Sequence, residues 1–457
     1  MSVHRSRARA AGSLLLLAAA LIPSTAGRAT AAPSTCGKLL APSSGAYLGA
    51  FNNFDAPDYT STEDVVTTGK IDQFEQEAGR KLVWVYFTQH WFKGLGFPLQ
   101  TVLLIWRHGE IPFVRLQPHS GFFYGNGPPQ QYPEQRFSLQ HIIDGQFDAQ
   151  LRAWADEARD TNIPMLAEFG TEIESDWGPW SARWNAAGQT DGYGDRSYPD
   201  GAERYRDAYR HVVTLFREEG ATNVTWFIHF GGFHYPDWWN DSKWYYPGDD
   251  YVDWLGISSY GSVNTVDPQI PFTSPLDAYG YYNELTSFSS RPLAVLELGV
   301  TDNAAHQMPN WIEQTFNTIK SGRYPRIHAV SWWNTGALPP PDINTRIDSS
   351  SDALSAFRQA VADPFFAAQP QFSGDCLPPT PVSLTAQRRG NTVRLTWKGS
   401  LSATHYEILR NSRPLLSTDA TAAVVRRPRR RHSVAYTVRA VNPLGVSGLS
   451  ARVIVRH

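Results

Sequence analysis

Two glutamates sit where apolar runs end. The stretch Leu166-Ala-Glu-Phe-Gly-Thr-Glu-Ile-Glu-Ser-Asp-Trp-Gly-Pro-Trp180 follows the apolar segment 163–166 and turns at once into carboxylates and tryptophans. Further on, Pro292-Leu-Ala-Val-Leu-Glu-Leu-Gly299 delivers Glu297 at the end of a second apolar segment. An apolar run that stops in acids and indoles reads as the mouth of a barrel strand facing a sugar. Two carboxyl groups on separate strand ends, Glu172 and Glu297, suggest cleavage of a glycosidic bond. With retention, one attacks the anomeric carbon while the other protonates the leaving oxygen and then activates water, across a gap of about 5–5.5 Å. Their surroundings must hold the two pKa values apart.

The elements that would position them are short apolar runs at 47–51, 82–87, 112–116, 164–167, 224–230, 254–257, 293–297 and 327–332. Unbroken apolar character, rather than strict alternation, predicts strands buried on both faces of a parallel sheet. Helical spacing lies between several of them. Phe147, Leu151, Trp154, Ala155 and Ala158 recur every three or four residues, as do Tyr205, Tyr209, Val212, Val213 and Phe216. Trp311, Thr315, Phe316 and Ile319 repeat the pattern, and 353–362 reads as a further helix. Eight such units predict an α/β fold, a (β/α)8 TIM barrel spanning 33–376. A doubly wound open sheet is the rival, weakened because no glycine-rich phosphate turn opens a helix. On the barrel, Glu172 lies just past the fourth strand and Glu297 ends the seventh, across the mouth from each other.

The chain has 457 residues, enough for one large domain and a smaller one, and a formal charge of −2 that selects no class of partner. Aromatics make up 13%, including 16 tryptophans, an excess that favours a ligand with stacking faces such as a sugar. No His-Glu-x-x-His or Gly-x-Ser-x-Gly motif is present, so no metal and no cofactor is implied.

Residues 1–32 pass from basic (Arg5, Arg7, Arg9) through an apolar run, 14–22, to small residues. That series predicts a secretory signal peptide, a secreted protein and no stable membrane insertion. In an oxidising compartment the two cysteines, Cys36 and Cys376, are expected to form a disulfide joining the ends of the large domain.

At Leu377-Pro-Pro-Thr-Pro381 the pattern changes to period two: Val393-Arg-Leu-Thr-Trp397, Tyr406-Glu-Ile-Leu409, Tyr436-Thr-Val-Arg-Ala-Val441 and Arg452-Val-Ile-Val455. Short alternating strands predict a small all-β sandwich over 377–457. The spacing of Trp397, Tyr406 and Tyr436 resembles a fibronectin type III module, with Trp397 and Tyr436 as core. The module carries 14 Lys and Arg against two Asp and Glu. Its run Arg426-Arg-Pro-Arg-Arg-Arg431 could hold an anionic cell-wall polymer or a membrane surface, or be a solvated turn. Nucleic acid is not expected, since no binding motif is present. The protein is expected to be a monomer.

Acid/base on the fourth strand and nucleophile on the seventh resembles the large clan of retaining glycoside hydrolases. Within it, the chain is similar to glycoside hydrolase family 26, best known for β-mannanases. The resemblance rests on Gly145-Gln-Phe-Asp148, Ile163-Pro-Met-Leu166, Glu172-Ile-Glu-Ser-Asp-Trp-Gly-Pro-Trp180, Gly220-Ala-Thr-Asn-Val-Thr-Trp226, Tyr245-Tyr-Pro-Gly-Asp-Asp-Tyr-Val-Asp-Trp-Leu-Gly256 and the Glu297 strand. It implies Glu172 as acid/base, Glu297 as nucleophile and a β-linked polysaccharide as substrate, β-1,4-mannan first. Another β-glucan, a β-xylan or an exopolysaccharide is the alternative, and a non-catalytic sugar-binding barrel is the alternative of another class. The chain departs from the family pattern at three positions. Thr171 stands for the usual His before the acid, Glu168 for Arg, and Glu174 for Asn.

Around the pair, Tyr260 is expected to hydrogen-bond the nucleophile, and Trp332 or Trp333 to floor the subsite. Trp177 and Trp180 are expected to be stacking platforms. His229 would contact sugar hydroxyls or be a satisfied core histidine, and Glu168 would be a supporting partner or a subsite ligand. The aromatic loop 233–239 is expected to wall the cleft.

Overall fold

A computed structural model describes residues 34–52, 63–123, 129–233, 236–263, 268–302, 307–336, 343–427 and 433–456. The expected signal peptide, His234 and Tyr235 of the aromatic loop, and 428–431 of the arginine run lie outside the described residues.

Eight parallel strands close into a barrel in sequence order. They are β1 (Tyr47–Phe51), β2 (Trp84–His90), β3 (Ile111–Gln117), β4 (Met165–Phe169), β5 (Val224–Phe230), β6 (Trp254–Tyr260), β7 (Leu293–Gly299) and β8 (Ile327–Trp333). β8 pairs back onto β1, so no edge is left. Every expected strand is present, and β2, β4, β6 and β7 run two or three residues further at the end that carries the site.

The surrounding helices are α1 (Thr68–Ala78), α2 (Leu99–His108), α3 (Leu139–Ile143), α4 (Asp148–Thr161), α5 (Asp200–Glu218), α6 (Ser242–Tyr245), α7 (Tyr281–Phe288), α8 (Met308–Lys320) and α9 (Ser351–Ala362). Their starts follow local chemistry. The side chains of Thr67, Ser138 and Ser350 accept from backbone N–H groups in the first turns of α1, α3 and α9. Among the described residues no helix is long and apolar enough to cross a membrane.

Alternation along each strand sorts its side chains into two cores. One, between strands and helices, holds residues such as Leu48, Val114, Ile228 and Trp332. The other fills the barrel, with Tyr47, Phe51, Tyr86, Phe113, Leu166, Phe227, Trp254 and Trp333. Arg115, Glu168 and His229 share the inward parity of Phe113, Leu166 and Phe227, two residues before each of them.

Beyond the barrel run β9 (Val382–Arg389), β10 (Thr392–Lys398), β11 (His405–Arg410), β12 (Arg413–Thr418), β13 (Ala422–Arg426), β14 (Val434–Asn442), β15 (Gly445–Val446) and β16 (Val453–Val455). They form two antiparallel sheets, β13-β10-β9 and β12-β11-β14-β15, with β16 also on β14. Trp397, Tyr406 and Tyr436 lie in the core between them. The sandwich is tied to the barrel by the indole N–H of Trp106 on α2, which donates to the Ser402 carbonyl at 2.8 Å. Cys36 and Cys376 are disulfide-bonded.

Candidate active site

The turn after β4 decides where Glu172 points. Gly170 has φ +68, and a Cβ there would meet the Trp180 ring at 2.9 Å, so both backbone and space call for glycine. Glu172 itself has φ +47, a conformation rarely adopted by so long a side chain. The turn is held open by Ile173 N–H donating to the His229 carbonyl and Ser175 N–H donating to the Glu172 carbonyl. Strain of this kind persists where surrounding bonds over-determine the backbone. The Glu172 carboxyl is buried and accepts from the Trp177 indole N–H at 2.8 Å. Burial, then the nearby charge of Glu297, pushes its pKa up to about 7.

Glu297 reaches the same space by a different device. β6 and β7 pair Gly256 with Ala294 and Ile257 with Val295, and then Ser258 with Glu297. Leu296 is the extra residue of a bulge. Plain alternation from inward Ala294 and Leu296 would turn Glu297 outward. The bulge sets Leu296 and Glu297 both inward, and Gly256 leaves the room, since a Cβ there would lie 2.3 Å from Leu296 Cδ1. Glu297 Oε2 accepts from the Tyr260 hydroxyl at 2.7 Å, and Oε1 from Arg115 Nη2 at 2.8 Å. Tyr260 thus stands where its strand position placed it.

Arg115 is the functional residue that the sequence reading missed. It is buried on β3, paired in register with Glu168 on β4. Its Nε donates to Glu168 Oε1 at 3.1 Å and to Thr171 Oγ1 at 2.9 Å. Nη1 lies 3.7 Å from Glu63, and the guanidinium carbon lies 4.9 Å from the Trp333 ring centroid. Burial alone would lower its pKa, but Glu297, Glu63 and Glu168 together raise it, so the cation is fixed. The signal was available: a single Arg inside the apolar run 112–116 must be paired.

Glu168, fully buried, accepts from Arg115, from the Thr171 hydroxyl at 2.6 Å, from the Tyr86 hydroxyl at 2.6 Å and from His229 Nδ1 at 3.0 Å. Burial would raise its pKa, but His229, Arg115 and Thr171 outweigh that and hold its carboxyl below the usual range. Its role is to support the site, and the reading of Glu168 as a subsite ligand is corrected because no surface of it remains for a sugar. The same holds for His229. Its ring is fully buried between Glu168 and Ser258, so it is a satisfied interior histidine.

Two tryptophans are corrected as well. Trp180 is 1% exposed and donates its indole N–H to the Thr171 carbonyl, so it packs beneath the acid's turn rather than offering a stacking face. Trp332 points outward from the barrel, where it contacts Trp311 and Phe357 and donates to the Thr345 carbonyl. Trp333 is the inward one, stacked on Phe51 at 3.9 Å beside Arg115. Trp177, half-buried, lies against Phe123 and bonds the acid directly. Glu174, the third departure, is buried away from the pair. It accepts from Gly231 N–H at 2.8 Å and from the Tyr281 hydroxyl at 2.7 Å, anchoring the turn after β5.

Among the described residues, one cluster has metal-ligand chemistry: Glu75, His108 and Glu110, whose donor atoms lie within 4.8 Å of one another. It sits at the opposite end of the strands, where His108 bonds Glu110, and Glu75 accepts from Lys81 and from the Leu82 N–H.

A closed eight-stranded barrel with carboxyl groups ending β4 and β7 is the build of the (β/α)8 glycoside hydrolases. Residues 131–291 match the model of glycosyl hydrolase family 26. It is the family that the sequence resembles. A relative named endoglucanase H, from Acetivibrio thermocellus, is 22% identical over 293 residues, which are 64% of this chain and 29% of that protein. The chain therefore spans less than a third of that relative's length. Similar solved structures include the catalytic domain of a family 26 endo-β-1,4-mannanase from Bacillus sp. JAMB-750, 18% identical with a TM-score of 0.49, covering 70% of this chain and 86% of that one. A modular endo-β-1,4-mannanase from Cellulomonas fimi is 17% identical with a TM-score of 0.47, covering 90% and 93%.

Proposed function

We propose that the protein hydrolyses a β-linked polysaccharide, β-1,4-mannan first, as an endo-acting retaining glycosidase. Glu172 is the acid/base and Glu297 the nucleophile. The observation that carries this is the contrast between the two carboxyls. Glu172 is buried, accepts from a neutral indole and holds its proton to about pH 7, as a general acid must. Glu297 receives one donor on each oxygen, one of them a guanidinium, which orients it for attack. Protonation of the leaving oxygen by Glu172 accompanies bond formation from Glu297 to the anomeric carbon. Glu172, now a carboxylate, then takes a proton from water as that water displaces Glu297.

The test is reducing-sugar release from a panel of β-glycans, with Glu297→Ala beside the native protein. The endoglucanase name of the relative keeps β-glucan in that panel beside mannan. Activity on mannan that vanishes in Glu297→Ala supports the reading. Sugar binding without hydrolysis of any glycan would favour the non-catalytic barrel.

For the C-terminal sheets we propose contact with an anionic wall polymer. The outer face of β13-β10-β9 exposes Arg389, Arg394, Lys398 and Arg426, and no acid lies on these strands. Salt-sensitive retention on an anionic polysaccharide, reduced in Arg394→Gln with Arg426→Gln, is the expected result.

A further inference from the structure

Two rings from different loops are fastened to the segment that carries Glu172. Tyr132 lies between β3 and β4, and Trp184 lies between β4 and β5. The Tyr132 hydroxyl donates to the Trp177 carbonyl, and the Trp184 indole N–H donates to the Asp176 carbonyl at 2.8 Å. The rings meet each other, centroids 4.5 Å apart and planes tilted by 40°. Trp177 itself donates its indole N–H to the Glu172 carboxyl. Three aromatic side chains are thus joined to one carboxyl by printed contacts of the fold, Trp177 directly and the other two through its loop.

The outer pair is held in place. Buried Glu134 accepts from the backbone N–H groups of Ser120, Arg136 and Phe137 and closes the loop around Tyr132. Trp184 ends a helical turn, 182–184, and the next residue, Asn185, donates to the Pro179 and Ser181 carbonyls. Both polar tips are given to protein carbonyls, so neither ring needs water for its donor. Yet Tyr132 is 37% exposed and Trp184 is only half-buried. Two fixed apolar rings set at an angle offer the C–H face of a sugar a surface with little left to order on binding.

The chemistry of Glu172 says which sugar. The acid protonates the oxygen of the departing chain, so sugars bound beyond it belong to that chain. We infer that Tyr132 and Trp184 form a stacking subsite for the leaving portion of the polysaccharide, past the sugar next to Glu172. The proposal rests on Glu172 being the acid/base.

The test compares two substrates with the same sugars on the Glu297 side. One is β-1,4-mannohexaose, or cellohexaose if glucan is the polymer cleaved. The other is an aryl glycoside whose leaving group ends at a nitrophenol and cannot reach the pair. In Trp184→Ala and in Tyr132→Ala, kcat/KM on the hexasaccharide should fall about 10-fold, and on the aryl glycoside it should hold. Tyr132→Phe, which keeps the ring and loses the bond to Trp177, should behave as the native protein on both. Equal loss on both substrates would show rings that merely brace Trp177, and no loss on either would show an idle surface. Each result overturns the proposal. If the native protein cleaves no glycan, calorimetric binding of the two hexasaccharides decides. Weaker binding in Trp184→Ala would sink the function reading and keep the subsite, whereas equal binding or none would sink the subsite.

Discussion

Arg115 and Glu297 meet across the barrel, Nη2 2.8 Å from Oε1, although they come from the third and seventh strands. One guanidinium thus ties the Glu297 carboxyl to Glu168 on β4 and to Thr171 just past it. The strands that lead to Glu172 and carry Glu297 are thus linked through a residue that belongs to neither.

Arg115→Met should leave Glu168 and Glu297 buried without their shared cation. Breaking a buried pair this way costs about 3–5 kcal/mol, read as a lowered urea midpoint at unchanged slope. Losing a fixed donor to the reacting carboxylate should also lower kcat about 100-fold or more. Arg115→Lys should recover part of the stability and little of the rate, since one ammonium cannot serve Glu168, Thr171 and Glu297 together.

Tyr260→Phe removes one hydrogen bond to Glu297 and little else in the core. A bond to a charged group contributes about 1.5–3 kcal/mol, so kcat should fall roughly 10- to 100-fold with KM changed much less. Equal loss in both parameters would instead place the phenol on the substrate.

The raised pKa of Glu172 has two consequences of defined sign. As the acid it must be protonated, so kcat/KM should decline as pH rises through about 7. Its folded pKa lies above the ordinary value of 4.5. The stability it contributes is full below that ordinary value and is lost as pH rises to about 7. Glu172→Gln should therefore be more stable than the native protein at pH 8, by on the order of 1–3 kcal/mol, with no gain at pH 4. Chemical denaturation at the two pH values measures it.

The adjacent pair Trp332 and Trp333 should separate cleanly. Trp332→Ala empties the layer between barrel and helices and should cost about 3–5 kcal/mol of stability. Trp333→Ala removes a ring at the mouth beside Arg115 and should raise KM for oligosaccharides. Thermal melts and steady-state kinetics on the same two variants decide this.

What could be read beforehand divides along physical lines. Strands such as 224–230 were legible because burial on both faces leaves an unbroken apolar run. Helices such as α5 were legible through one apolar stripe. The two glutamates stood out because carboxyls end such runs. Position 332 or 333 was left open, although alternation places only one of two neighbours inside a barrel. Parity was a weaker guide on β7, where the bulge at Leu296 reverses it for Glu297. Trp180 was misread because its direction depends on the positive φ values of Gly170 and Glu172. Thr171 and Glu168 were seen as departures, but the guanidinium facing them comes from β3, a pairing that exists only once Arg115 and Glu168 lie in register.

The bond between Cys36 and Cys376 makes a ring of the chain, its closing residues separated by 340 in sequence. One cut by a protease in any loop of that ring yields no free fragment. The nicked protein keeps its mass until a reductant is added, so on a non-reducing gel damage at the cleft loops would go unseen.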